Sequence, residues 1–174
     1  MRQKWPLTPV HQAPAAIFHR ALMGFARLSL KARALRLLAQ REHSRSELQA
    51  KLARHVQEGE DLAALLDELQ ARGFIDAARV AESVVHRRAA RLGAQRVAQE
   101  LRRKGLDEDL VRATAAQLAG TELERARAVW RQRYGGAPAA ATPQERARQI
   151  RFLAARGFAA DVVRRVVQGG EDDE

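Results

Sequence analysis

A short helix stop recurs in this chain at the same place in a larger pattern. Leu101-x-x-Lys104-Gly105-Leu106 is echoed by Leu153-x-x-Arg156-Gly157-Phe158. In each, an apolar residue is followed by a base and then by glycine, the residue best able to turn left-handed just past a helix end. Each stop closes the second helix of a three-helix unit. Units of this size bury their faces against one another. The expected fold is therefore all-α: an elongated curved array of three tandem three-helix repeats.

The rest of the chain follows that frame. Ser29 is placed to cap a first helix over about 30–41, with Leu30, Ala34, Leu37 and Leu38 as its apolar stripe. Ser44-x-x-Glu47 has the form of a capping box and opens a helix over about 45–56 that presents Leu48, Leu52 and Val56. A third helix over about 60–72 ends at Arg72-Gly73. Unit one departs from the other two, with Leu52-x-x-His55-Val56 in place of the glycine stop, and an insertion. In unit two Asp76 caps a helix to about Leu92. A break at Gly93 and a helix over 94–104 follow, and Asp107 caps the third. In unit three Thr121-x-x-Glu124 opens a helix with Leu123, Ala126, Trp130 and Tyr134. Thr142-Pro143-x-Glu145 combines a cap, a first-turn proline and a capping-box acid, and opens a helix with Ala147, Ile150 and Leu153 inward. A last helix covers about 159–168. The expected boundaries are a flexible arm (1–28), repeats at 29–75, 76–119 and 120–168, and an acidic tail (169–174).

Chemistry is sparse by comparison. With no cysteine there are no disulfides, thiol nucleophiles or Cys-based zinc sites. The histidines at 11, 19, 43, 55 and 86 lack metal-ligand spacing; His43, in a turn, and His86 read as surface residues. Glu100 stands among arginines as an ion-pair partner, and Trp130 with Tyr134 reads as core. Gly135-Gly136 lacks the strand and the Lys-Ser/Thr of a phosphate loop. The chain is expected to be no enzyme and to need no cofactor or metal. It has no apolar run long enough to span a membrane.

Charge is the remaining signal. The formal net charge is +10, and it is segregated. Residues 1–41 hold eight bases and no acid, whereas residues 42–76 hold four bases and eight acids. Residues 77–106 hold eight bases against two acids, and residues 121–168 ten against four. Such an excess favours a polyanionic partner. In unit two Arg79 and Arg87 lie away from the valines of their helix. Arg91, Arg96, Arg102 and Arg103 surround or face outward from the next one, with Gln99 among them. Arg88 and Lys104 are less suited, Arg88 because it can pair with an acid. In unit three Arg131, Arg133, Arg148 and Arg151 take corresponding positions. Any one of these is compatible with a solvated surface; their repetition in equivalent helices suggests a basic strip that tracks phosphates without reading bases.

At these residues the chain resembles the RecX family of bacterial regulatory proteins. The resemblance covers about 30–168. It rests on Ser29-Leu30-Lys31-Ala32-Arg33-Ala34-Leu35, Arg41-Glu42-His43-Ser44-Arg45-x-Glu47-Leu48, Gly73-Phe74-Ile75-Asp76, and Arg91-x-Gly93-x-x-Arg96-Val97-x-x-Glu100-Leu101-x-x-Lys104-Gly105. It departs at Ala77-Ala78-Arg79-Val80, where the family usually has acids and an aromatic residue. The resemblance implies a cytoplasmic, monomeric protein that lies in the groove of the RecA–DNA nucleoprotein filament. There it would touch RecA and the DNA phosphate backbone, and restrain ATP hydrolysis, strand exchange and co-protease activity, and so recombination and the SOS response. A general DNA-binding helical protein with no filament role is the alternative.

Overall fold

The computed structural model describes residues 28–135 and 142–168. The expectations for an N-terminal arm, but for Leu28, and for an acidic tail lie outside the described residues. Among the described residues there are nine α-helices and no strand. They are α1 (Leu30–Leu38), α2 (Arg45–Leu52), α3 (Leu62–Ala71), α4 (Ala77–Arg88), α5 (Ala94–Arg103), α6 (Glu108–Ala119), α7 (Glu122–Tyr134), α8 (Pro143–Ala154) and α9 (Ala160–Gln168). One 3₁₀ turn, Ala53–His55, follows α2.

Each successive trio of helices encloses its own core. Leu30, Leu48, Leu52, Leu66 and Leu69 meet in the first. Val80, Val84, Val97, Leu101 and Val111 meet in the second. Val129, Leu153, Phe158, Val163 and Val166 meet in the third. The fold is an elongated all-α helical repeat.

Local signals set most helix starts. Ser29, Asp76 and Asp107 accept first-turn amides. Ser44–Glu47 and Thr142–Glu145 both form complete capping boxes. The C-terminal glycines Gly73, Gly105 and Gly157 all have positive φ (74°, 71° and 78°). The helix expected to open at Thr121 does so, without a side-chain cap; Thr121 Oγ1 accepts from Arg125 Nε at 3.2 Å. Three expectations need correction. The helix expected to reach Leu92 stops at Arg88, because Arg125 draws the Ala89 and Leu92 carbonyls to its guanidinium at 2.9 and 2.7 Å. Val56 is 40% exposed, since the 3₁₀ turn shifts the phase of the buried stripe. Ile150 is 39% exposed, while Gln149 is buried and accepts from Trp130 Nε1 at 3.0 Å. A polar pair, invisible to hydrophobic periodicity, takes the inward position. Trp130 and Tyr134 are half-buried, and Tyr134 meets the Phe152 ring edge-on at 5.3 Å.

The second helices of the three units stack end to end, against the order of the chain. The amino end of α5 meets the carboxyl end of α8. Gly93 N–H donates to Arg156 O at 2.9 Å and Gln95 N–H to Gly157 O at 3.3 Å. Between them, Ala94 N–H donates to the buried Glu122 carboxylate at 2.7 Å. Helix α2 meets α5 in the same sense. Ser44 Oγ donates to Lys104 O at 2.6 Å, and Lys104 Nζ donates to Glu47 Oε1 at 2.7 Å. Each joint satisfies orphan groups of two helix ends and lines up their dipoles. Glycine is required there by space. A Cβ on Gly93 would stand 2.1 Å from Gly157 O, and one on Gly157 would stand 2.6 Å from Arg96 N.

Candidate partner-binding surface

Four expected site residues, Arg91, Arg96, Arg102 and Arg133, line grooves at the joint between α5 and α8. In one of them, of about 440 Å³, Ala154 and Ala155 face Gln95, Arg96, Gln99 and Arg102. By helical period Arg148 and Arg151 share the face of α8 that ends at Ala155, and Arg103 shares that of Arg96 and Gln99 on α5. Arg96 donates to Gln99 Oε1 at 2.9 Å, and Arg103 folds toward Gln99 O at 3.4 Å.

A second groove of about 310 Å³ spans the same joint and gathers Arg91, Arg133 and Arg156 around Val129, Gln132 and Phe152. Among the described residues no acid lines either groove. The Arg156 guanidinium sits 3.7 Å above the Phe152 ring centroid and donates to Phe152 O at 3.1 Å. It is held in place by stacking. Sequence reasoning missed Arg156 because the Arg-Gly pair was read only as a helix stop; its place in an Arg-rich block was the available signal.

The remaining candidates are placed differently. Arg131, Arg148 and Arg151 are exposed and form no ion pair with any acid among the described residues. Arg87 is exposed and donates to Ser83 O in its own helix. Arg79 ties units one and two, bonding Glu42 at 3.0 Å and the Gly73 carbonyl at 2.8 Å. Arg102 grips Glu108 with two hydrogen bonds of 2.9 and 2.6 Å. That contact raises the arginine and lowers the carboxyl from their ordinary values. Arg88 pairs with Glu100 at 3.1 Å, and Lys104 is committed to Glu47, as their doubtful standing in the sequence suggested.

At the other joint, burial acts to raise the Glu47 carboxyl. Hydrogen bonds from Arg41, Lys104 and the Ser44 amide outweigh it and hold Glu47 at about 2. His43, expected at the surface, is buried beside it and donates from Nδ1 to Arg41 O at 3.0 Å. Its burial holds the imidazole below its ordinary value. Among the described residues no three His, Asp or Glu side chains are grouped to hold a metal, and no helix is long and apolar enough to cross a membrane.

These features define a class: an all-helical repeat protein whose conspicuous surface chemistry is a set of cationic grooves at a unit joint. Comparison with known proteins gives the family. Residues 76–114 match the model for the second three-helix domain of RecX, and residues 121–167 match the model for its third. The Regulatory protein RecX of Leptothrix cholodnii is 55% identical over 81% of this chain and 88% of its own. That of Ralstonia nicotianae is 49% identical over 83% of this chain and 89% of its own. The crystal structure of RecX from Lactobacillus salivarius superposes with a TM-score of 0.68 over 82% of this chain and 94% of that one, at 18% identity. The chain belongs to the RecX family of regulatory proteins.

Proposed function

We propose that this protein is a cytoplasmic, monomeric, non-enzymatic regulator that lies in the groove of the RecA–DNA filament. It restrains RecA ATPase, strand exchange and co-protease activity there, and so modulates recombination and the SOS response. Family membership supports the regulatory role. The observation that supports the geometry is the end-to-end meeting of α8 and α5. It brings the helices that carry Arg148, Arg151, Arg96 and Arg103 into one column, with the Arg91–Arg133–Arg156 groove at the joint. Such a surface follows a filament's path and engages several protomers or phosphates at once, so modest contacts combine. Of the other expected site residues, Arg87 and Arg131 are exposed with no acidic partner among the described residues, while Arg79 and Arg102 hold acids.

The deciding experiment titrates the protein against RecA turning over ATP on single-stranded DNA. Inhibition at or below one molecule per RecA protomer is expected. Unchanged ATPase and strand exchange across the titration would remove the reading. The alternative is a general DNA-binding helical protein, favoured by the backbone-tracking character of the strip. It predicts equal affinity for bare DNA and for the assembled filament.

A further inference from the structure

Unit one carries a cationic groove that the family assignment does not explain. It lies between α1 and the α2–3₁₀ segment and has a volume of about 240 Å³. Arg33 and Arg36 stand on one wall, and Lys51, Arg54 and His55 on the other, with no acid lining it among the described residues. Leu37 and Leu52 form an apolar floor. Arg33 is fixed by donating from Nε to Leu28 O at 2.9 Å. Arg54 Nε donates to His55 Nε2 at 3.3 Å, which makes that imidazole nitrogen the acceptor. Burial, and then the charges of Arg33 and Arg54, depress the His55 pKa. Four permanent cations thus face one another with no described acid beside them. Residues 1–27, which adjoin the groove in sequence, contain no acid either.

We propose that this groove is a separate binding site for the sugar–phosphate backbone of single-stranded nucleic acid. Two facing rows of cations match a strand that carries one charge per nucleotide, and the leucine floor suits the apolar edges of the sugars between phosphates. Among the described residues no aromatic side chain lines the groove to stack a base, so it holds backbone without sequence preference. An acidic peptide fits less well. The groove offers no sheet edge to an extended strand, and two leucines are too short a floor for the apolar face of a helix. This inference does not rest on the filament reading, because it concerns bare nucleic acid.

The test uses the full chain and an unstructured oligothymidylate, with binding followed by fluorescence anisotropy from 50 to 300 mM salt (roughly the range over which counterion release is strong). Arg36, Lys51 and Arg54 are exposed and make no ion pair among the described residues, so a combined Arg36→Gln, Lys51→Gln, Arg54→Gln variant is expected to keep its helicity. At about 0.7 powers of salt per phosphate, its log–log slope should fall by about 2, with at least roughly tenfold weaker binding at low salt. The wild-type His55 ring resonances should shift on adding the oligonucleotide, a readout that needs no variant. An unchanged slope in a folded triple variant, or His55 resonances that stay fixed at saturation, would overturn the proposal. So would binding of polyglutamate that depends on the three cations as strongly as oligonucleotide binding does. RecA inhibition that survives the triple variant would leave the filament reading standing, so the two failures are distinguishable.

Discussion

Glu47 shows how one side chain couples the unit one–two joint to pH. Its carboxyl is held at about 2, against an ordinary value of 4.5. The stabilisation is complete above the unfolded value and is lost as pH falls from 4.5 toward about 2. His43 acts in the same direction from higher pH. Its folded-state pKa lies below 6.5, so the unfolded chain takes up the proton first as pH falls below that value. The urea midpoint is therefore expected to decline below pH 6.5 and more steeply below 4.5. Glu47→Gln should flatten the lower limb and cost about 1–3 kcal/mol at neutral pH, discounted because the carboxylate keeps some solvent contact. An acid profile identical to wild type would show that the joint does not depend on this carboxylate. The sequence announced Glu47 only as a capping-box residue. Its second role needs Lys104 brought near from another unit, which no local pattern encodes.

At the scale of helices, the glycine stops divide into two kinds that look alike in sequence. Gly73 has φ +74° and open space around its missing Cβ. Gly157 has φ +78°, and its Cβ would press on the backbone of α5. Gly73→Ala should cost only the left-handed penalty, about 1–2 kcal/mol. Gly157→Ala should cost clearly more, about 3 kcal/mol or above, and should raise protease sensitivity between units two and three. Thermal melts of the two variants beside wild type provide the check; equal losses would mean that the helix ends do not abut as described. Legibility follows the same division. Capping boxes at Ser44 and Thr142, and left-handed turns at glycine, are decided within a few residues and could be read directly. The helix start at Thr121 could be read too, but not what its first turn does. Glu122 turns inward to the amide of Ala94, and Arg125 turns to the carbonyls of Ala89, Leu92 and Leu118. Those partners are tertiary, and no local pattern encodes them. Gln149 displaced Ile150 for a similar reason, its partner being Trp130 on another helix.

For the whole molecule, the arginines matter as a set ordered by the stacked helices. The outward positions on α5 and α8 were legible from helical period. Their union into one face was not, because it depends on α8 meeting α5 end to end. Combined reversal at Arg96, Arg103, Arg148 and Arg151 should weaken RecA ATPase inhibition by at least about tenfold, with each single reversal showing much less, as multivalent contacts do. A dose–response curve for inhibition separates these cases. Inhibition untouched by the fourfold reversal would move the contact elsewhere on the protein.

The reversed stacking also sets a timetable for synthesis. Chains fold from the amino end as they emerge, yet the second helices of units one and two are completed by residues made later. Ser44 acquires Lys104 as its partner only after another 60 residues. Its own capping box already closes the helix start before then and persists in the finished joint. Helix α5 has no such provision, because its N-cap is Gly93, with no side chain to offer. Its first amides remain bare until Glu122, Arg156 and Gly157 have been made. The central unit, made second, therefore waits on the third for its closing piece.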